Sequence, residues 1–596
     1  MFRLRAGPKR LSFATRAAAA MGICVLAGWL ANDQPAGLIA TLGAFAALYG
    51  SGRPYRNRAI LIALISVGLV FCVACGVVAA AASPWLSVSL AAFVAFGASF
   101  LCSALNVGPP GAYLFTLACA AATNMRGEIA YLGRIAFLVA AGGAAAWVLQ
   151  MAGVLWRPRG PEERALANAA NAIADFIGAA ARGHADLQRH ATAVVLHEAW
   201  LTLVARQPAH AKPDGTLHRL RALSRKLHRL FGQAITTAGA GAGDAIAAAA
   251  DARAVAAKAS NPPPVGDDDA LHRPLAYIGA REALAMSMRP GATPLRIALR
   301  VGAAALISGA IGASMGLDRA YWAIAASVLM LYQGLDWTRA LQRGLERTLG
   351  TFTGLALAAG LLTIRPHGLA LVGLVMGLQF LIELVVVRNY ALATVFITPI
   401  ALIVAEAANP TIDVATLLID RGLDTFIGCA VGLAVLFVTS RRHGERLQDA
   451  LDRSIAAARA LLPRLADGDV TSAPARIERQ TLRNSAVDLI LHYEDQAGAS
   501  GRGREEADRL WPAIVAAQRL AFRILAACWH VEAGGSKPVD SDTAAALDRQ
   551  LKAIRQNRPS PQRQPSEFLS QELAALEEAL DCDQTDREML RESDAS

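Results

Sequence analysis

Residues 59–82 read AILIALISVGLVFCVACGVVAAAA, a run without a single charged side chain. As an α-helix, at 1.5 Å per residue, this run extends about 36 Å, which is enough to cross a bilayer hydrocarbon core about 30 Å thick. Five further apolar segments surround it, near 14–31, 36–50, 85–105, 109–124 and 129–156. The first part of the chain therefore predicts six membrane-spanning helices.

A second group of six apolar segments follows later, near 297–316, 320–334, 347–363, 368–386, 391–406 and 414–438. Residues 1–155 carry ten Lys/Arg and two Asp/Glu, and residues 291–440 carry nine and eight. Residues 156–290 carry seventeen Lys/Arg and twelve Asp/Glu, and residues 441–596 carry twenty-two Lys/Arg and twenty-six Asp/Glu. With 54% hydrophobic and 18% charged residues, this pattern excludes a disulfide scaffold, a disordered chain and a simple nucleic-acid binder. It predicts an all-α polytopic membrane protein with twelve spans.

The two apolar blocks resemble each other. Equivalent positions recur at nearly constant spacing: Gly22 and Gly302, Arg56 and Arg339, Arg134 and Arg421. Because each block has an even number of spans, we expect two parallel repeats of six transmembrane helices, each followed by a helical cytoplasmic domain. The expected domains are a first six-helix block at 1–156, a cytoplasmic helical domain at 157–290, a second six-helix block at 291–440 and a C-terminal cytoplasmic helical domain at 441–596.

The distribution of Lys and Arg predicts the orientation in the membrane. Arg53, Arg56 and Arg58 fall on the same side as Arg157 and Arg159, and the opposite side carries few basic residues. Because basic loops stay in the cytoplasm, we expect both termini and both polar segments there.

Motifs for catalysis or cofactors are weak. Cys72 and Cys75 form a CxxC in an apolar run without a second pair, so it favours core packing over a metal site. The GxSxG pattern at 312–316 lies at the end of a membrane span with no strand before it, and no GxxxxGK[ST] occurs. We therefore predict no catalytic residue, no metal and no cofactor, and we expect that the protein is not an enzyme.

The second block carries a recognisable pattern. Residues 321–334 read YWAIAASVLMLYQG, and ERTLGTFTG follows at 346–354 and DRGLDTFIG at 420–428. This pattern resembles the fusaric acid resistance protein-like family, which includes inner-membrane subunits of aromatic carboxylic acid efflux pumps and is related to plant anion channels. The resemblance implies a bacterial inner-membrane location and a periplasmic adaptor as a candidate partner. In the first block Arg58 is followed by Ala-Ile-Leu, so the RxxGTxxG pattern does not recur there.

Three arginines mark the start of one span in the second block. Arg339, Arg343 and Arg347 are spaced at i, i+4 and i+8, which places them on one face of a helix. They could attract an anionic substrate, or they could be topological anchors with snorkelling stems. Gly350 and Gly354 continue this helix as a GxxxG face, for which close helix packing is the favoured interpretation.

Glu383 lies in an otherwise apolar run, with Gln379 one turn before it. Because a carboxylate inside a membrane is costly, it is a functional candidate. Two roles stay open: carrying a coupling proton, or pairing with Arg388.

A compact charged patch lies in the last span. Asp420, Arg421 and Asp424 are close in sequence, and we favour mutual ion pairing as their role. The short second segments of the two blocks, 35–50 and 320–334, occupy matching places, which points to a binding site at the interface between the repeats.

The function expected from these features is export of small aromatic or amphipathic carboxylates across the inner membrane, driven by protons. The alternative is a passive anion channel or a non-transporting membrane scaffold. The expected partners are a small organic anion and the lipid bilayer, with a periplasmic adaptor as a candidate and a homo-oligomer left open; no nucleic acid is expected.

Overall fold

The computed structural model of the chain describes residues 10–123, 125, 128–180, 185–208, 212, 215–236, 242–264, 279–316, 321–332, 337–364, 366–408, 414–443, 447–497, 502–532, 534–556 and 568–581. All regular structure in these residues is helical, which confirms the all-α prediction. In chain order the helices are α1 (Leu11–Leu30), α2 (Gln34–Ala44), α3 (Tyr55–Ala82), α4 (Pro84–Ala104), α5 (Tyr113–Ala122), α6 (Leu132–Met151), α7 (Gly160–Ala180), α8 (Ala185–Trp200), α9 (Thr216–Thr236), α10 (Ala242–Lys258), α11 (Ala280–Ser287), α12 (Thr293–Ser314), α13 (Tyr321–Leu331), α14 (Trp337–Ile364), α15 (Leu369–Val385), α16 (Tyr390–Ala408), α17 (Val414–His443), α18 (Leu447–Asp467), α19 (Ala473–Ala497), α20 (Arg502–Glu532), α21 (Ser541–Arg555) and α22 (570–581).

The chain divides into two compact units, each built from two separate stretches of sequence. The first comprises Met1–Pro158 with Ile278–Gly444, and the second Arg159–Tyr277 with Glu445–Ser596. The first unit is called the membrane unit below, and the second the bundle unit. Helix α11 packs against α4 within the membrane unit, although we had placed its residues at the end of a polar domain.

Eight helices of the described part of the chain are long and apolar enough to cross a membrane. Seven of them belong to the membrane unit: Leu11–Leu30, Tyr55–Ala82, Pro84–Ala104, Leu132–Leu155, Thr293–Ser314, Arg339–Ile364 and Leu418–Thr439. The eighth, Arg504–Glu532, is the most deeply buried of the eight and runs through the core of the bundle unit. Its apolar character is explained by packing against other helices, so we do not treat it as a span.

The other five apolar segments that we predicted are present as shorter helices: Gln34–Leu48, Tyr113–Ala122, Trp322–Leu331, Leu369–Val385 and Tyr390–Val404. The twelve predicted spans thus comprise seven helices long enough to cross a membrane and five shorter ones. Tyr113–Ala122, for example, extends only about 15 Å as a helix. Local sequence explains some of the limits: Asp33 caps the start of α2 by accepting a hydrogen bond from the Ala36 amide, and Gly50 ends that segment with φ +76°.

Helix contacts in the membrane unit occur in matching sets. Helices α3 and α5 pack together, as do α14 and α16; α2 packs on α6, and α13 on α17. Five contacts join the first six apolar helices to the second six: α4 with α12, α1 with α15, α5 with α13, α2 with α16 and α4 with α13. All five short helices, α2, α5, α13, α15 and α16, thus lie where the two groups of helices meet.

Glycines permit the close approach of α14 to α16. A Cβ atom on Gly350 would lie 2.5 Å from the Ala391 carbonyl oxygen, and one on Gly354 would lie 2.8 Å from the Val395 oxygen. Such distances are too short for a real side chain, so these backbones touch because no side chain separates them.

The bundle unit is built from amphipathic helices around a leucine-rich core. The leucines spaced at three and four residues on α9 are all buried: Leu217, Leu220, Leu223, Leu227 and Leu230. Helix α9 packs against α7 and α20, and α18 packs against α19, α20 and α21. Burial of one face of each helix is the expected basis of stability for such a bundle.

Candidate anion site in the membrane unit

A cavity of about 440 Å³ lies inside the membrane unit. Its wall includes Ile39 of α2 and Leu117 of α5 from the first six apolar helices, and Val375 of α15 and Ile397 of α16 from the second six. The lining is mainly apolar, and the volume is in the range that accommodates small organic ligands. The cavity therefore lies between the two groups of helices, where the matching short segments had pointed.

Arg347 is the most deeply buried charged group of this wall. The residue is 1% exposed, and its Nη1 donates a hydrogen bond of 2.9 Å to the Tyr390 hydroxyl. Its guanidinium also lies 5.9 Å from the centre of the Tyr113 ring. The remaining edge, formed by Nε and Nη2, has no hydrogen-bond partner, and no ion pair in the described part of the chain includes Arg347.

That edge is the one an arginine uses to bind a carboxylate through two parallel hydrogen bonds. A buried guanidinium without a countercharge costs free energy, and a bound anion removes that cost. Arg347 thus has the position and the unused donors of an anion receptor.

The other two arginines of the predicted stripe differ from each other. Arg343, one turn before Arg347, lines the same cavity, and its guanidinium lies 3.6 Å from the centre of the Tyr390 ring. Arg339, a further turn away, is partly exposed and is not among the residues of the cavity wall. The structure therefore brings two of the three arginines to the cavity.

Glu383 and Gln379 also line the cavity, and both are buried. Gln379 Nε2 donates to Glu383 Oε1 at 3.3 Å. The ion-pair partner of Glu383 is Arg10, at 3.7 Å, so the alternative of a pair with Arg388 is wrong. The reason is that α1 packs along α15, which brings the residue preceding α1 to the end of α15.

The charged patch of α17 lies beside the cavity and not in its wall. Arg421 and Asp424 are almost fully buried, whereas Asp420 is partly exposed. The guanidinium of Arg421 lies 3.7 Å from the centre of the Trp322 ring, and Trp322 does line the cavity. Mutual ion pairing within this patch stays a prediction. The contact between Arg421 and Trp322 forms because α13 packs on α17.

Sequence reasoning missed several residues of this site. Tyr113 and Tyr390 begin α5 and α16, and Arg10 precedes α1. No local motif marks them, and they meet Arg347 and Glu383 only through the packing of distant helices. In the described residues, no group of three or more His, Cys, Asp or Glu could hold a metal ion.

The cavity wall therefore has a cationic part and an apolar part. Arg343 and Arg347 can bind a carboxylate. The Tyr390 hydroxyl oxygen accepts a hydrogen bond from Arg347, so its O–H can still donate a hydrogen bond to that carboxylate. The apolar wall can accommodate a hydrocarbon or aromatic body. This arrangement defines a polytopic membrane protein with a candidate site for an amphipathic organic anion.

Comparisons with known proteins agree with this class. A family model described as "Fusaric acid resistance protein-like" matches residues 305–435, which contain Arg343, Arg347, Glu383 and Tyr390. The match confirms the resemblance carried by residues 321–354 and 420–428: residues 305–435 are similar to the fusaric acid resistance protein-like family.

One similar protein spans nearly the whole chain. Over 561 residues the chain is 26% identical to the "Uncharacterized membrane protein YvaC" of Bacillus subtilis (strain 168), an alignment that covers 89% of this chain and 87% of that one. No solved structure matches the chain.

Proposed function

We propose that the protein exports small aromatic or otherwise amphipathic carboxylates across the bacterial inner membrane, driven by protons. The observation that carries the proposal is the unused Nε–Nη2 edge of Arg347 in the wall of the cavity. Arg343 adds a second positive charge and Tyr390 a hydroxyl, and the family match over 305–435 supports transport as the general role.

The proposal includes a two-repeat architecture. Because helix contacts in the two groups of six correspond pair by pair, we take α1–α6 and α12–α17 as parallel repeats related by an axis along the membrane normal. The two stretches of the bundle unit are then the two cytoplasmic domains. In this arrangement both chain termini are cytoplasmic, as the positions of Lys and Arg favour.

Orientation can be tested with reporter fusions. Fusions at positions 159, 268 and 596 should report a cytoplasmic location and one at 409 a periplasmic location; the last three positions lie outside the described residues. A periplasmic signal at 268 would contradict the parallel arrangement.

Proton coupling is assigned to Glu383. It is a buried carboxyl in the cavity wall, so a proton could reach it from the same space that the substrate occupies. Protonation of Glu383 would weaken its ion pair with Arg10, because a neutral carboxyl no longer attracts the guanidinium. A periplasmic adaptor and a homo-oligomer remain proposals for the partners.

The export proposal is tested by growth of a strain that lacks the gene on a panel of aromatic acids such as benzoate and hydroxybenzoates. We expect hypersensitivity that the intact gene corrects and an equally expressed Arg347→Gln variant does not. Full correction by Arg347→Gln would contradict the site. Anion flux through purified protein in vesicles that persists without a pH gradient would favour a passive channel instead, and absence of flux a scaffold.

A further inference from the structure

The bundle unit contains a second buried arginine whose charge is not balanced. Arg483 of α19 is 5% exposed, and its Nε and Nη2 atoms have no hydrogen-bond partner. No ion pair in the described residues includes it. Its guanidinium lies 3.4 Å from the centre of the Trp200 ring, which covers one face and leaves the Nε–Nη2 edge unused.

The charges around Arg483 do not compensate it. Arg479, one turn earlier, is also buried, but its Nη2 donates to Glu532 at 2.7 Å and its Nη1 to the Val470 carbonyl at 2.7 Å. The Glu532 carboxylate is therefore bound to Arg479. The pair Arg479 and Glu532 is neutral, so Arg483 contributes one excess positive charge to the interior.

Two histidines near Arg483 are held neutral. Burial lowers the pKa of His197 to about 3, and the positive charge of Arg483 lowers it further. Burial also lowers the pKa of His228 to about 4. For His228 the hydrogen bond to the Ser224 carbonyl opposes the shift, and the charge of Arg483 adds to it. His197 Nδ1 is buried without a hydrogen-bond partner. A neutral imidazole can still donate one N–H, so His197 can add a donor without adding charge.

The backbone next to this cluster is irregular. Helix α8, which carries His197 and Trp200, continues directly into a π-helical turn at Leu201–Ala205. The Leu203 carbonyl in this turn accepts a hydrogen bond of 2.8 Å from Arg221 Nε. π-Helical turns are rare and occur frequently at functional sites. The π-helical turn, which directly follows Trp200, is therefore a second unusual feature beside the unpaired guanidinium of Arg483.

We propose that the Nε–Nη2 edge of Arg483 binds a small oxyanion, a phosphate or carboxylate group, with His197 as an additional donor. Two parallel hydrogen bonds to one oxyanion group fit this edge, and the anion supplies the missing negative charge. The buried position of the edge limits the occupant to a small group, and the partly exposed His197 gives access from solvent. This site is independent of the proposed transport site.

The test uses the full-length protein in detergent with Arg347→Gln as the background, so that the cavity site does not contribute. Thermal unfolding is followed with added inorganic phosphate, with formate, and with chloride at equal ionic strength. We expect phosphate, formate or both to raise the unfolding temperature more than chloride does. A response to one alone identifies the oxyanion class.

Variants of Arg483 decide the assignment. Arg483→Gln should abolish the oxyanion-specific rise. Arg483→Lys should raise the half-saturating concentration of the oxyanion about 10- to 100-fold, because lysine keeps the charge but loses the paired donors. Arg549→Gln, which removes an exposed arginine of the same unit, should leave the rise unchanged. Absence of an oxyanion-specific rise in the background protein, or its persistence in Arg483→Gln, would overturn the proposal.

A fourth variant separates binding from a purely structural role. Arg483→Met keeps an apolar stem against Trp200 and removes the buried charge, so without added oxyanion it should be at least as stable as its parent. A marked fall in its unfolding temperature in that buffer would show that the contact with Trp200 is itself the role of Arg483, and would also overturn the proposal.

Discussion

The Nη1 atom of Arg347 donates a 2.9 Å hydrogen bond to the hydroxyl of Tyr390 inside the membrane unit. This bond joins α14 to the start of α16 and satisfies one side of the guanidinium. The other side keeps two donors without partners. One contact thereby holds Arg347 in place and leaves its bidentate edge without a partner.

The first prediction concerns anion affinity. Arg347→Gln should raise the half-saturating concentration of benzoate about 10- to 100-fold, because a charge-assisted bidentate contact is lost, and Arg347→Lys should fall between it and the parent. Arg339→Gln is the matched control, since it removes the same charge from the same helix outside the cavity wall. The measurement is concentration-dependent uptake by purified protein in vesicles. Equal effects of Arg339→Gln and Arg347→Gln would show that the stripe acts through general charge and not through the cavity.

The second prediction concerns proton coupling. Glu383→Gln keeps the size of the side chain and its contact with Gln379 but removes the titratable group, so uptake driven by a pH gradient should be lost while the protein still inserts. Arg10→Gln breaks the same ion pair and keeps the carboxyl, so its uptake should still depend on the gradient. Glu346→Gln removes a carboxylate of α14 outside the cavity wall and should behave as the parent. Gradient-dependent uptake by Glu383→Gln would leave Glu383 a structural residue.

The third prediction concerns helix packing. Gly354→Ala should lower the stability of the protein by about 1–3 kcal/mol, because the new Cβ would collide with α16 near Val395 and Thr398. Gly360→Ala on the same helix is the control: no atom lies within 4 Å of its Cβ position, so stability should not fall. Thermal unfolding in detergent compares the two. Equal stability of both variants would mean that α14 and α16 are not in close contact.

The fourth prediction concerns pH and the bundle unit. Burial lowers the pKa of His228 to about 4 in the folded protein, against an ordinary value of 6.5. The unfolded chain therefore binds a proton between these values that the folded protein excludes, so the free energy of unfolding should fall as pH drops from 6.5 to 4. His228→Phe should make the free energy of unfolding less dependent on pH in this window. An unaltered pH dependence in His228→Phe would contradict the prediction.

Much of the candidate site was visible in the sequence, as a stripe of arginines and as polar side chains within an apolar run. Arg343, Arg347, Gln379 and Glu383 all stand out in this way, and all four line the cavity. Their partners were not visible. Arg10 reaches Glu383 across most of the membrane unit's sequence, and nothing in the local pattern of either residue encodes that contact.

The sequence was sufficient to predict an all-helical membrane protein with two blocks of apolar helices, because the length of hydrophobic runs and the distribution of charge are local properties of the chain. It also carried the fusaric acid resistance protein-like pattern, which is a matter of residue order. Three outcomes required the folded structure: α5, α15 and α16 are also short helices where the two groups meet, Arg339 lies outside the cavity wall whereas Arg347 is part of it, and Tyr390 accepts a hydrogen bond from Arg347. These outcomes depend on which helix faces meet, and packing between residues far apart in the chain determines that.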